Sequence, residues 1–255
     1  MLGVLYNRFN NEVVIIYDFH YILEEKMDGD ERTAHHGVEN VLIIAKTDCN
    51  TGHCYIGLDQ NGNFVRPLSQ IAVGKNKRAC CWPLSVNFDV GTYVDFKYLR
   101  HLRNVKGTKY PHASEDFFVL SQYEEKGRCS NLYEIVRSQS SKEIGDIFHP
   151  FGLMQTDKTY HWYIKEGVPS KSAGALRIQR KFLKVHIMEN RRPRLVVSEG
   201  QTRYFLPFTS MDKLDIASIP EEEEVLIVMG LARSYPINNE MWCMLLGFSI
   251  IRKSP

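Results

Sequence analysis

From residue 41 onward, short apolar runs separated by turn clusters dominate the chain. Val41-Leu42-Ile43-Ile44-Ala45 is continuous, the pattern of a strand buried on both faces. Residues 53–58 read as the next strand. Asp59-Gln60-Asn61-Gly62 closes a hairpin onto Phe64-Val65-Arg66-Pro67-Leu68, because Asn-Gly tolerates the positive φ of tight hairpin turns. Pro67 cannot donate to a ladder, so this strand lies at an edge or ends there. Val94, Phe96 and Tyr98 alternate with Tyr93, Asp95 and Lys97, the period of a half-buried strand, and Phe117-Phe118-Val119-Leu120 is another short one. Further on, Leu183, Val185 and Ile187 alternate with Phe182, Lys184, His186 and Met188, which sets Lys184 and His186 on the face away from the core. Leu195-Val196-Val197 and Tyr204-Phe205-Leu206 flank a turn at 198–201, and residues 225–230 and 242–248 form two more buried strands.

The best helix signal covers 131–144. Asn131 is a candidate N-cap with Glu134 at capping-box spacing, and Leu132, Ile135 and Val136 share one face. Residues 138–163 read as irregular. The run 41–46 echoes 225–230 over six residues, as a duplication would or as any two buried strands do. Many short strands with few helices predict a mostly β chain with minor α, built of small barrels or sandwiches.

Residues 1–40 differ. They carry eight Asp or Glu against Arg8, Lys26 and Arg32, and read as an acidic N-terminal extension and linker with a boundary near residue 40. Composition is globular, with 44% hydrophobic and 24% charged residues, which excludes a disordered chain. The longest apolar run, 241–251, is far shorter than the roughly 20 residues of a membrane helix, and the N-terminus has no signal-peptide pattern. Six scattered cysteines without a secretion signal predict reduced thiols and a cytoplasmic location.

Net charge is only +2, yet the basic residues cluster. Between 97 and 109 there are five Lys or Arg and no acid, interleaved with Tyr98, His101 and Tyr110; between 171 and 197 there are eight against Glu189 alone. A positive surface attracts a phosphate backbone, and aromatic faces stack bases. A solvated face that aids solubility has the same look. The acidic head and the run Glu221–Glu224 either cover the basic face or are solvated. Cys49, His53, Cys54, Cys80 and Cys81 lack a CxxC pair, so no metal and no cofactor is expected. His112, Glu115 and Asp116 sit together as a metal or proton-transfer site would, although such residues more often cap backbone N–H groups. Tyr160-His161-Trp162-Tyr163 offers either base stacking or packing. No phosphate-cradling glycine loop, GxSxG or HExxH occurs, and no catalytic residue is assigned.

Several of these segments, in order, resemble the dual OB-containing domain family of prokaryotic conflict systems. They are 41–46, 54–59, 63–68, 91–96 with Pro111-His112 and Glu115-Asp116-Phe117, Arg203-Tyr204-Phe205-Leu206-Pro207-Phe208-Thr209, and Val228-Met229-Gly230-Leu231-Ala232-Arg233. The likeness spans about residues 41–252. Ser210 and Ser234 depart from the family pattern, where an acid and a proline are expected. The resemblance implies two OB-like small β-barrels in tandem after the extension: 1–40 extension, 41–125 first barrel, 126–170 helical or irregular connection, 171–255 second barrel. It also implies a non-catalytic sensor that binds single-stranded nucleic acid or a nucleotide. The expected phosphate contacts are Lys97, Arg100, Arg103, Arg180, Lys181, Arg191 and Arg192. Arg66 and Arg233, from the family motifs, either bind ligand or pair with Glu115 or Asp116 to lock the barrels. A protein-interaction subunit that docks a partner effector is the alternative, a metal-dependent hydrolase a more distant one, and no membrane association is expected.

Overall fold

A computed structural model of the chain describes residues 4–7, 12–15, 37–48, 52–69, 81–101, 115–155, 160–187, 192–211, 216–232 and 234–253. The chain divides into two units, residues 1–35 and 36–255. In the first, β1 (Val4–Asn7) pairs antiparallel with β2 (Glu12–Ile15). All later elements belong to the second unit, which is mostly β, as its alternating patterns predict.

Five strands close a barrel in the order β3-β4-β5-β7-β6: β3 (Gly37–Asp48), β4 (His53–Leu58), β5 (Phe64–Ser69), β6 (Thr92–His101) and β7 (Asp116–Arg128). All pairings are antiparallel except β5 with β7. This is a five-stranded Greek-key barrel of OB type. Pro67 fits because pairing with β4 has ended by Val65, and from there β5 pairs only with β7. The continuous apolar run in β3 serves two layers. Val41 and Ile43 fill the barrel with Tyr55, Val65, Phe96 and Phe117, while Leu42 and Ile44 face outward into a second cluster. Trp82 plugs the interior among Tyr55, Phe88 and Phe96. Its Nε1 donates to the Pro67 carbonyl at 2.8 Å and the Tyr55 hydroxyl to the Val86 carbonyl at 2.9 Å, so the buried polar atoms are satisfied.

Two short helices follow, α1 (Leu132–Ser138) and α2 (Ile144–Ile147). The first begins where the sequence predicts and ends earlier. The Ser138 and Ser140 hydroxyls donate to the Ile135 and Arg137 carbonyls, both at 2.7 Å, and Ser141 then bridges to Leu176. Asn131 makes no side-chain cap bond; its Oδ1 accepts from the Cys129 thiol at 3.3 Å instead. The stretch predicted as irregular contains β8 (Leu153–Gln155) and leads into β9 (Trp162–Lys165), which pairs with β16 (Glu240–Arg252).

The second half repeats the winding of the first. β10 (Ala173–Gln179) runs through a 3-10 turn, Arg180–Phe182, into β11 (Leu183–His186). β11 pairs with β12 (Arg194–Glu199), and β12 with β13 (Thr202–Pro207). The chain beyond β13 meets β16 in a parallel bridge, Phe208↔Gly247; β16 pairs with β14 (Glu224–Leu231), and β14 with β10. The circuit β10/β11-β12-β13-β16-β14 therefore matches β3-β4-β5-β7-β6, including the parallel contact, with its first strand broken at the turn. One core spans both sheets, from Leu183, Leu195, Val197 and Leu206 to Leu176, Ile227, Met229 and Leu245. In this winding β14 holds the place of β6, not of β3. The echo between 41–46 and 225–230 thus joins non-equivalent strands that are alike because both are buried.

The halves are joined by Leu42, Ile44, Ile56, Leu58 and Phe64 packed with Ala175, Leu226, Val228 and Phe248 under Val136 of α1. Main-chain bonds add to this contact: Asp48 N–H to the Thr209 carbonyl at 3.1 Å and Met211 N–H to the Lys46 carbonyl at 3.1 Å.

Candidate nucleic-acid interface

In β11, β12 and β13 the register sorts side chains by face. Leu183, Leu195, Val197, Tyr204 and Leu206 point into the core. The opposite face carries the rows Lys184–Val196–Phe205, His186–Arg194–Pro207 and Ser198–Arg203. Lys184, His186 and Arg203 are exposed, Phe205 is half-buried, and Arg194 is largely covered. Among the described residues, none on this face is acidic. Tyr160 stands beside Phe205, ring centroids 6.2 Å apart and planes inclined at 49°. Its backbone sits at φ 54°, a region that costs a non-glycine residue about 1–2 kcal/mol. The aromatic motif at 160–163 thus divides: Trp162 tilts against Tyr204 at 5.0 Å and Tyr163 is buried, while Tyr160 faces out. The alternation in 183–187 placed Lys184 and His186 on this face, but of its apolar residues only Leu183 is buried; Val185 and Ile187 are exposed as well. Arg203 and Phe205 escaped a search for basic clusters, although the period of the 203–207 strand shows that they share a face; Tyr160 belongs to the aromatic motif that the sequence offered for stacking or packing.

The residues singled out in the sequence are dispersed. Lys97 is exposed on β6 opposite Val38, and carboxylates crowd the same strands: Asp95 pairs in register with Glu124, and Lys126 bonds both. Arg100 lies in β6 in register with Phe118. Arg103, Arg191 and Arg233 lie outside the described residues, as does His112. Arg192 Nη2 contacts Asp48 Oδ2 at 2.9 Å, tying the start of β12 to the end of β3.

Arg180 and Lys181 meet the acidic run. Each of its carboxylates has a basic partner: Glu221 with Arg180 at 3.5 Å, Glu222 with Lys181 at 3.1 Å, Glu223 with Arg252 at 3.3 Å and Glu224 with Arg137 at 2.6 Å. Glu224 is held below the usual carboxylate range. Desolvation opposes this, and hydrogen bonds from Arg137 and Tyr133 outweigh it.

Arg66 lies between the halves. Its Nε donates to Asp116 Oδ1 at 2.7 Å and its Nη2 to Ser172 Oγ at 3.1 Å. Glu115 accepts from the Ser172 N–H at 2.7 Å and hydroxyl at 3.0 Å. Both carboxylates are buried. The pair considered for catalysis therefore joins the first barrel to the chain entering β10.

Among the described residues, no three His, Cys, Asp or Glu side chains gather as metal ligands. Cys54 Sγ lies 3.7 Å from Cys81 Sγ; Cys81 is disulfide-bonded, while Cys54, Cys129 and Cys243 are thiols. The expectation of reduced thiols thus holds at Cys54, Cys129 and Cys243 and not at Cys81; paired main-chain bonds between His53 and Trp82, at 2.8 and 2.7 Å, set Cys54 beside Cys81. Among the described residues, no helix is long and apolar enough to cross a membrane.

No protein-family model matches the chain, and no curated relative does. Among solved structures, a murine DNA-binding protein bound to double-stranded DNA aligns over 86% of this chain and 97% of its own, at 12% identity and a TM-score of 0.34. The Ifi202 HINa domain in complex with 20-base-pair DNA covers 86% and 98%, at 8% identity and a TM-score of 0.33. The p204 HINb domain covers 85% and 100%, at 9% identity and a TM-score of 0.33. At such scores none of these likenesses bears on what this chain does.

Proposed function

We propose that this chain is a non-catalytic module that binds single-stranded nucleic acid through the outer face of β11, β12 and β13. The observation that carries this reading is a sheet face, free of acids among the described residues, on which Lys184 and Arg203 flank the Phe205–Tyr160 pair. Cations there neutralise phosphates while the rings stack bases without regard to sequence. In OB-type barrels the second and third strands form the ligand face, and in the second circuit these are β12 and β13. Arg192, Arg180 and Lys181 flank the face and extend a phosphate track once their carboxylate partners are displaced. In this reading Arg66 holds the two halves together. The resemblance of the sequence to dual OB-containing domains supports a sensor role in a prokaryotic conflict system.

Fluorescence anisotropy with labelled single-stranded DNA and RNA, at low and moderate salt, tests the proposal. Lys184→Ala with Arg203→Ala is expected to weaken binding and reduce the salt slope by roughly 0.7 per lost phosphate contact. Unchanged affinity and slope in the folded double variant would overturn it.

Docking of a partner protein has its own observation. Phe182, Val185 and Ile187 are exposed along β11, which pairs with β12 alone among the described strands. Binding at that apolar edge would be insensitive to salt, in contrast to the phosphate track.

A further inference from the structure

A second cleft lies on the first barrel. β6, β3 and β4 run side by side, and Tyr93, Leu42 and Leu58 form one row across them. This row lines a cleft of about 330 Å³, together with Ile135 of α1, the turn at 59–62, and Asn40 and Gln139. Leu42 and Leu58 are buried, and Tyr93 and Ile135 are half-buried. The volume is at the small end of ligand sites, which start at roughly 300 Å³.

The chemistry of the lining is selective. No lysine or arginine is among its residues, so an anion finds no partner. Its one carboxylate, Asp59, is engaged by its own turn: Oδ1 accepts from the Asn61 and Asn63 N–H groups, both at 2.8 Å, and Oδ2 from Asn63 Nδ2 at 2.9 Å. That leaves little for a cation. Asn40, Gln60, Asn61 and Gln139 set amide side chains around the apolar surface. Asn40 Nδ2 donates to Asp95 Oδ1 at 2.6 Å and Gln139 Nε2 to Ser138 Oγ at 3.2 Å, which leaves each of these two amides a second N–H and its carbonyl oxygen. Gly62, at φ 78°, brings the turn so close to Gln139 that a Cβ there would lie 2.9 Å from the amide carbon. Apolar and aromatic surface edged by neutral amides fits a flat, uncharged ring with hydrogen-bonding edges.

We propose that this cleft binds a nucleobase-class heterocycle, recognised by the Tyr93 ring against its face, over a floor formed by Leu42 and Leu58, and by the amides at its edge. The site is separate from the β11–β13 face and does not depend on it.

Isothermal titration of the full chain with adenosine, inosine, cytidine and uridine, beside AMP, provides the test. At least one nucleoside is expected to bind saturably, with the same affinity at about 50 and about 200 mM salt, and AMP no tighter than adenosine. Tyr93→Leu keeps apolar bulk and removes the ring; it is expected to weaken binding at least about fivefold. Gln139→Ala, at an exposed position, is expected to weaken it at least about twofold and decides the matter if the Tyr93 variant fails to fold. Lys184→Ala with Arg203→Ala should leave nucleoside binding unchanged, which separates this site from the sheet face. Three results would overturn the proposal: no binding of any nucleoside up to about 5 mM, a salt-sensitive preference for AMP, or full affinity in the folded Gln139 and Tyr93 variants.

Discussion

The outer faces of β4–β5 and of β12–β13 hold equivalent places in two circuits wound the same way, and the protein puts them to different uses. On the first, Ile56, Leu58 and Phe64 are buried against the second half. On the second, Val196, Arg203 and Phe205 look outward. An arginine stands on each. Arg66 reaches Asp116 and Ser172 and is mostly covered; Arg203, opposite Ser198, is exposed. The fold offers the same platform twice, and the side chains decide which one becomes an internal joint and which stays on the surface.

Stability should separate the two arginines most sharply. Arg66→Ala removes a partner of buried Asp116, and breaking a buried pair costs about 3–5 kcal/mol. Arg203→Ala alters an exposed position and should fall within about 0.5 kcal/mol. Urea unfolding of both variants measures the difference. Equal, small losses would mean that Arg66 does not join the halves.

Much of this contrast was legible in the sequence. Alternation placed Lys184 and His186 outward, and the turn signal at 59–62 found a hairpin with Gly62 at positive φ. The continuous run at 41–45 marked a strand buried on both faces. The sequence did not say that its second face meets the other half, because Leu42 and Ile44 find Leu226 and Val228 more than 180 residues later. Cation counting did not lead to the proposed face for a related reason. It favoured Arg180, Lys181 and Arg192, whose neighbours in space are Glu221, Glu222 and Asp48, and it passed over Arg203, whose row is free of acids. Charge density along the chain does not register the partners that folding supplies.

If β12–β13 is the ligand face, its aromatic residue should matter next most. Phe205→Ala is expected to lower affinity for a single strand by about 1–3 kcal/mol, the worth of one stacked base. The equivalent loss for double-stranded DNA should be smaller, because paired bases do not present their faces. Anisotropy titrations with both substrates at one salt concentration check this. Equal losses on both would remove stacking from the account and leave only the phosphate contacts.

Lys97 and Lys184 extend the comparison to the cations. Lys97 shares its surroundings with Asp95 and Glu124, while Lys184 lies in a row with Val196 and Phe205. Lys184→Ala should lower the salt slope by roughly 0.7, and Lys97→Ala should leave it unchanged. A slope that falls for both would draw the first barrel into the interface. A slope that falls for Lys97 alone would move the interface there.

The smallest effect is expected at the acidic run, where a carboxylate ladder touches the edge of the proposed track. Glu221 and Glu222 are largely exposed, and such ion pairs contribute only about 0.2–1 kcal/mol each. Glu221→Gln with Glu222→Gln should therefore leave unfolding almost unchanged. It also releases Lys181 and part of Arg180, whose Nε stays bonded to the Ile216 carbonyl at 3.1 Å. If both cations border the strand's path, affinity for single-stranded nucleic acid should rise at low salt by up to about fivefold, the ceiling set by one such pair. The gain should fade at moderate salt, where screening weakens both the pairs and the phosphate contacts. It should also disappear when Arg180→Ala and Lys181→Ala are added. A gain that survives those changes would come from the lost negative charge alone. No gain at low salt would end the phosphate track at β11, with Arg180 and Lys181 serving only to fasten the turn to the acidic run.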